Sequence, residues 1–186
     1  ECMGKQCFKI LTANDQEDPG DKAWEYALRY GIVHLCKGGL EGKARELIFR
    51  FEWLRKRAAL GPIHSLVEDV NRVKMKMKMK ANEDERKAIN LLQSAIKLSQ
   101  QALEFDPRQI AGQLMARLLV YETKEPSLLN TLISDIHKWK GPEDGKGWWK
   151  PLRPSFAPAD GDLELTLTGH SGAVLSVSCN CEKTKI

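Results

Sequence analysis

Three groups of residues have types and spacing that invite a chemical reading. The first is Gly141-Pro142-Glu143-Asp144-Gly145-Lys146-Gly147. A phosphate-binding loop needs Gly-x-x-x-x-Gly-Lys followed by Ser or Thr, so that backbone amides cradle the phosphates and the hydroxyl meets magnesium. This stretch is one residue short between its glycines and has Gly147 where the hydroxyl belongs, so it reads as a loop. The second group is the histidines His34, His64, His137 and His170, which lie far apart and form no His-x-x-x-His or His-Glu pattern. The third is Cys179-Asn180-Cys181, which lacks the two-residue gap of a zinc knuckle and has no second ligand pair. No Ser, Thr or Cys stands in a nucleophile elbow. Glu68-Asp69 and Asp135 fall on solvated helix faces rather than forming an acid-base pair. The chain therefore reads as a non-enzyme, with no catalytic, metal-binding or cofactor-binding residues.

Two other stretches suit binding rather than reaction. Lys74-Met75-Lys76-Met77-Lys78-Met79-Lys80 alternates strictly, yet extends a helix pattern in which Met77 continues the buried stripe. The preferred reading is a helix end running into a charged connection. The rival is a basic, adaptable surface for an acidic partner, RNA or anionic lipid. Trp148-Trp149-Lys150-Pro151-Leu152-Arg153-Pro154 is the second stretch. Its tryptophans are read as anchors that fix a spacer to its neighbouring domains, because each ring buries a large apolar area. The rival is recognition of a peptide, or stacking on Arg153.

The elements that must position these residues follow from periodicity. The chain has 186 residues, 42% apolar and 29% charged, with a formal net charge of +4. That is a globular composition, and its small positive excess gives no reason to expect DNA. Cys2, Cys7, Cys36, Cys179 and Cys181 make an odd count with no signal peptide, which argues for a reducing, cytoplasmic setting. No apolar run is long enough to span a membrane. The opening at Glu1 and the close at Ile186 read as a piece of a longer protein.

Residues 1–20 read as a polar lead-in. Asp21 then caps a helix carrying Trp24, Leu28, Ile32 and Leu35, stopped by Gly38-Gly39. Leu40, Ala44, Leu47, Ile48, Phe51 and Leu54 form one stripe at helical spacing, with Trp53 beside it. Ile63, Leu66, Val67, Val70, Val73 and Met77 form another after Gly61-Pro62. Asn82 with Glu85 makes a capping box before Ile89, Leu92, Ile96 and Leu103. Asp106-Pro107 opens a helix with Ile110, Leu114 and Leu118, and Glu125-Pro126 one with Leu128, Leu132 and Ile136. Short turns between such helices predict a mainly α domain over 21–140, an antiparallel multi-helix bundle or α-hairpin stack. Its core residues are expected to be Trp24, Leu28, Leu47, Phe51, Trp53, Leu54, Val67, Leu114 and Leu118. Residues 141–162 are a spacer rich in Pro, Gly and Trp. Leu163–Thr168 and Ala173–Cys179 alternate as an incomplete β-strand pair around Gly169-His170-Ser171-Gly172.

Phe51-Glu52-Trp53-Leu54, Ala59-Leu60-Gly61-Pro62 and Asp106-Pro107-Arg108-Gln109-Ile110-Ala111-Gly112-Gln113-Leu114, followed by Pro151-Leu152-Arg153-Pro154-Ser155, resemble the helical domain of STAND (NACHT/NB-ARC) ATPases similar to apoptotic protease-activating factor. Gly169-His170-Ser171-Gly172-Ala173-Val174-Leu175 resembles the first strands of a WD repeat. The resemblance implies a helical arm between a nucleotide-binding module and a propeller, with ATP held only on the upstream module. It implies that residues 1–20 are the end of a winged-helix domain and that 163–186 begin a truncated propeller. It also implies contacts to those domains through Trp148, Trp149, Pro151, Arg153 and His170, and a homo-oligomeric parent in apoptosis-like signalling. The rival classes are a freestanding α-hairpin scaffold that binds peptides, and a basic adaptor for RNA or anionic lipid through Lys74–Lys80.

Overall fold

The computed structural model describes residues 2–12, 22–78, 80–123, 127–142, 147–161, 172, 173 and 176. The described residues form nine α-helices: α1 (Cys2–Thr12), α2 (Lys22–Lys37), α3 (Glu41–Ile48), α4 (Phe51–Ala59), α5 (Ile63–Met77), α6 (Glu83–Leu98), α7 (Gln100–Phe105), α8 (Ile110–Leu118) and α9 (Leu128–Lys138). Single 3-10 turns at Pro107–Gln109 and Leu119–Tyr121 flank α8. The chain is thus mainly helical. The strand pair expected over 163–186 lies outside the described residues, apart from Gly172, Ala173 and Ser176, which are in no strand.

The helices form where apolar residues recur at steps of three and four, and those faces meet in one core. Leu28, Leu47, Phe51, Trp53, Leu54, Leu114 and Leu118 are buried in it, together with Ile89, Leu92, Ile96 and Ile136. Trp24 and Val67 are half-buried and packed against its edge. Lys56 sits over the Trp24 ring at 5.3 Å, which covers the ring's outer side. Helix ends follow local chemistry. Gly39 after α2 has φ +73°, a left-handed conformation that costs a residue without a side chain little. At α6 the capping box is complete: Glu85 N donates to Asn82 Oδ1 at 2.8 Å, and Asn82 N to Glu85 Oε2 at 3.3 Å.

The structure corrects several expectations. Residues 2–12, read as part of a polar lead-in, are helix α1, with Cys7 buried against α2. A Cβ on Gly4 would stand 2.9 Å from the His34 carbonyl oxygen, so the two backbones touch directly there. The stripe from Leu40 to Leu54 is two helices, because Arg50 turns extended at φ −85°, ψ 116° between α3 and α4. Ser127, rather than Glu125-Pro126, caps α9: its hydroxyl accepts from Asn130 N at 3.1 Å. Asp21 lies outside the described residues.

Candidate functional site

After α9 the described residues 139–142 and 147–161 are in no helix or strand, and Trp139, Trp148 and Ala159 among them pack against the bundle's core. Their first attachment is aromatic. Trp139 meets the edge of Phe51, on α4, with ring centroids 5.3 Å apart, and Trp148 packs on Trp139 at 5.2 Å. Such tilted contacts suit the ring quadrupoles and add to the area buried. Lys150 Nζ also donates to the His137 carbonyl at 3.1 Å, which ties residue 150 to the end of α9. Backbone contact with α8 is close: a Cβ on Gly112 would be 3.2 Å from the Trp149 carbonyl oxygen.

The second attachment is polar. Ser155 N and Phe156 N both donate to the Ala116 carbonyl, at 3.2 and 3.3 Å. Arg117, buried on α8, donates from Nε to Ser99 Oγ at 3.0 Å, from Nη2 to Leu98 O at 3.1 Å and from Nη1 to Ala157 O at 3.0 Å. Its guanidinium lies under the Phe156 ring at 5.2 Å. Burial lowers its proton affinity from the arginine norm. One side chain thus ties the α6–α7 junction to the segment 147–161. Farther along, the Tyr121 hydroxyl donates to the Asp160 carboxylate and accepts from Asp160 N at 3.0 Å. Burial, reinforced by that carboxylate, pushes the phenol up to about 12.

The tryptophan pair therefore divides. Trp148 is half-buried against the core, whereas Trp149 is 94% exposed. Pro151 is half-buried and Arg153 exposed, and His170 lies outside the described residues. Sequence reasoning missed Arg117, Phe156, Gly112 and the Tyr121–Asp160 pair as parts of this seat. Arg117 carried a signal, since it interrupts the apolar run Leu114-Met115-Ala116-Arg117-Leu118, where a charge needs built partners.

The Lys/Met stretch is helical through Met77, which is buried. Lys74 Nζ donates to Gln93 Oε1 at 3.0 Å, and Lys80 Nζ pairs with Glu41 Oε2 at 3.0 Å. Lys74 thus ties α5 to α6, and Lys80 ties the turn after α5 to the start of α3. Of the histidines, His34 bonds the Tyr26 hydroxyl at 2.8 Å on the surface of α2, and His64 is exposed. Among the described residues no group of His, Cys, Asp and Glu could hold a metal. Cys179 and Cys181 lie outside those residues. Burial raises the thiol of Cys7 and pushes that of Cys36 up to about 11, which keeps both protonated and unreactive at neutral pH. Asp69, expected on a solvated face, is instead buried and paired with Arg57 Nε at 2.9 Å. The pair joins α5 to α4.

Residues 6–123 match the family model of the APAF-1 helical domain, a span from within α1 through α8 and its closing turn. No curated protein and no solved structure matches the chain.

Proposed function

The chain belongs to the APAF-1 helical-domain family, and on that premise we propose that it is a non-catalytic coupling module of a WD-repeat STAND-type signalling ATPase. In this reading it stands in the cytoplasm between a nucleotide-binding module, which holds the ATP, and a propeller. Its own residues bind no cofactor. The parent forms a homo-oligomer, and this domain transmits closure or release between the flanking parts.

The observation that supports it best is the double attachment of the spacer. Trp148 on Trp139, which itself meets Phe51, holds one end, and Arg117 on Ala157 holds the other. A segment held at two points keeps a fixed position on the bundle, as a coupling arm requires. Near the start of the chain, α1 meets α2 backbone to backbone at Gly4, which suits a rigid joint to a preceding domain. The basic-adaptor rival is weakened because Lys74 and Lys80 are engaged within the bundle.

The test is to sequence the parent transcript on both sides of Glu1 and Ile186. A phosphate-binding loop upstream with WD repeats downstream supports the coupling reading. A start codon just before Glu1 with a stop just after Ile186 overturns it.

A further inference from the structure

We propose that the cleft between the end of α5 and the first half of α6 binds a small soluble phosphate monoester that carries a short aliphatic stem. The cleft holds about 260 Å3. Its apolar lining is Met75, Met77 and Ile89, and its charged lining is Lys74, Lys78 and Arg86. Met77 and Ile89 are buried, whereas Met75 is 62% exposed. Clefts that enclose a drug-sized ligand hold roughly 300–1,000 Å3, so this one suits a single head group and a short stem.

Charge sets the head group. No acid lines the cleft. The stretch from residue 72 to residue 82 contains Arg72, Lys74, Lys76, Lys78 and Lys80 and no acid. Of the acids on neighbouring elements, Glu85 pairs with Arg45 and Glu41 with Lys80. Glu83 lines the adjoining cleft with Arg86, but neither belongs to an ion pair among the described residues. Lys78 belongs to none there either, and Lys74 bonds the neutral amide of Gln93, which leaves its charge uncancelled.

Three like charges around one cleft repel one another, and the apolar lining beneath them concentrates their field. An anion relieves that repulsion. The two uncommitted cations, Lys78 and Arg86, match the nearly two negative charges of a phosphate monoester at neutral pH. The Arg86 fork fits phosphate oxygens in pairs, and Lys78 adds a point charge. Asn90, also in the lining, brings an amide that can donate a further bond.

The remaining lining sets the body of the ligand. No aromatic ring lines the cleft, so a base finds nothing to stack on, while Met77 and Ile89 offer aliphatic contact. Glu83 and Asp84 stand exposed in the first turn of α6, at the same end of the helix pair. They oppose the approach of a whole anionic membrane, which leaves a single soluble molecule as the occupant.

The probe is hexyl phosphate, titrated into the whole chain by calorimetry and mapped by backbone amide shifts. Hexanol and inorganic phosphate stand for the stem and the head alone. The expected result is saturable binding at least tenfold tighter than either, weakening as salt is raised, with shifts at 74–78 and 86–90. Lengthening the stem from ethyl to butyl should strengthen it several-fold. Arg86→Gln should weaken it about tenfold and Lys78→Gln several-fold. Lys76→Gln should leave it unchanged, because Lys76 does not line the cleft. All three side chains are exposed, so the thermal melts should stay in place. Hexanol binding as tightly, equal losses in all three variants, or shifts away from α5 and α6 would overturn the proposal. So would capture by phosphatidic-acid vesicles without binding of hexyl phosphate, which would make this end of the helix pair a membrane contact. The proposal does not rest on the coupling reading: a transcript without flanking domains sinks that reading and leaves this site standing.

Discussion

Arg117 and Ala157 are joined by a 3.0 Å hydrogen bond that spans forty residues of chain and closes the segment 147–161 onto α8. The same guanidinium holds Ser99 Oγ and the Leu98 carbonyl. Because the group is buried, its charge is tolerated only while these acceptors stay in place. Replacing Arg117 with Met keeps the stem and drops every donor. Such a change should cost about 3 kcal/mol in urea unfolding, the scale of hydrogen bonds to a charged group. It should also speed amide exchange at Ser155 and Phe156 ahead of the helices. Exchange that stays uniform would show that the spacer is held by other contacts.

The aromatic file makes a graded prediction. Phe51 is buried in the core, so Phe51→Ala should cost about 3–5 kcal/mol in thermal or urea unfolding. Trp148 lies at the edge of the same file. Trp148→Ala should leave the far-ultraviolet melt nearly in place while removing near-ultraviolet ellipticity. Equal losses from the two substitutions would mean that the spacer is part of the cooperative core.

The buried pair Arg57–Asp69 makes stability depend on pH. Burial pushes the Asp69 carboxyl from the ordinary 3.8 up to about 6, with Arg57 pulling against it. Between about pH 4 and 6 the folded chain therefore keeps a proton that the unfolded chain has released. This group's contribution to stability falls as pH rises through that window and is level above it. Arg57→Met removes the opposing pull, so the fall should continue to higher pH. The variant's deficit, about 3–5 kcal/mol for breaking a buried pair, should be fully developed at pH 8 and clearly smaller at pH 5. Melts of both proteins at the two pH values decide it, and equal deficits would refute the linkage.

At α6 the cap is reciprocal, so Asn82→Ala should cost about 1 kcal/mol by leaving the Glu85 amide without its acceptor. Asn82→Asp should retain most of the stability. A urea midpoint unchanged in Asn82→Ala would mean that solvent serves the amide equally well.

How far the fold was legible depended on whether its determinants were local. The stripes of α2, α5 and α6 could be read because burial repeats at helical spacing. The Asn82–Glu85 cap and the Gly39 stop could be read because their chemistry lies within one turn of chain. The break at Arg50 carried no proline or glycine, so continuous spacing hid it. Helix α1 was hidden for the opposite reason. Its closest approach to α2 is at Gly4, which adds nothing to a hydrophobic pattern, and the apolar side chains that also meet α2, Cys7 and Leu11, are few. At the candidate site, two adjacent tryptophans are equivalent as sequence. Only the position of Trp139 and Phe51 makes Trp148 an anchor and leaves Trp149 outside. The partner of Arg117 beyond α9 is the Ala157 carbonyl oxygen, a group that every residue has, so no residue type could announce it.

The contact of Gly4 with the His34 carbonyl has a mechanical meaning. Side chains between two helices act as springs: they switch rotamers and absorb small displacements before the backbones feel them. Where Gly4 meets His34 there is no such cushion. At that point a displacement of α1 meets the backbone of α2 directly, whereas at Gly31 the side chains of Leu11 and Cys7 stand between the two helices.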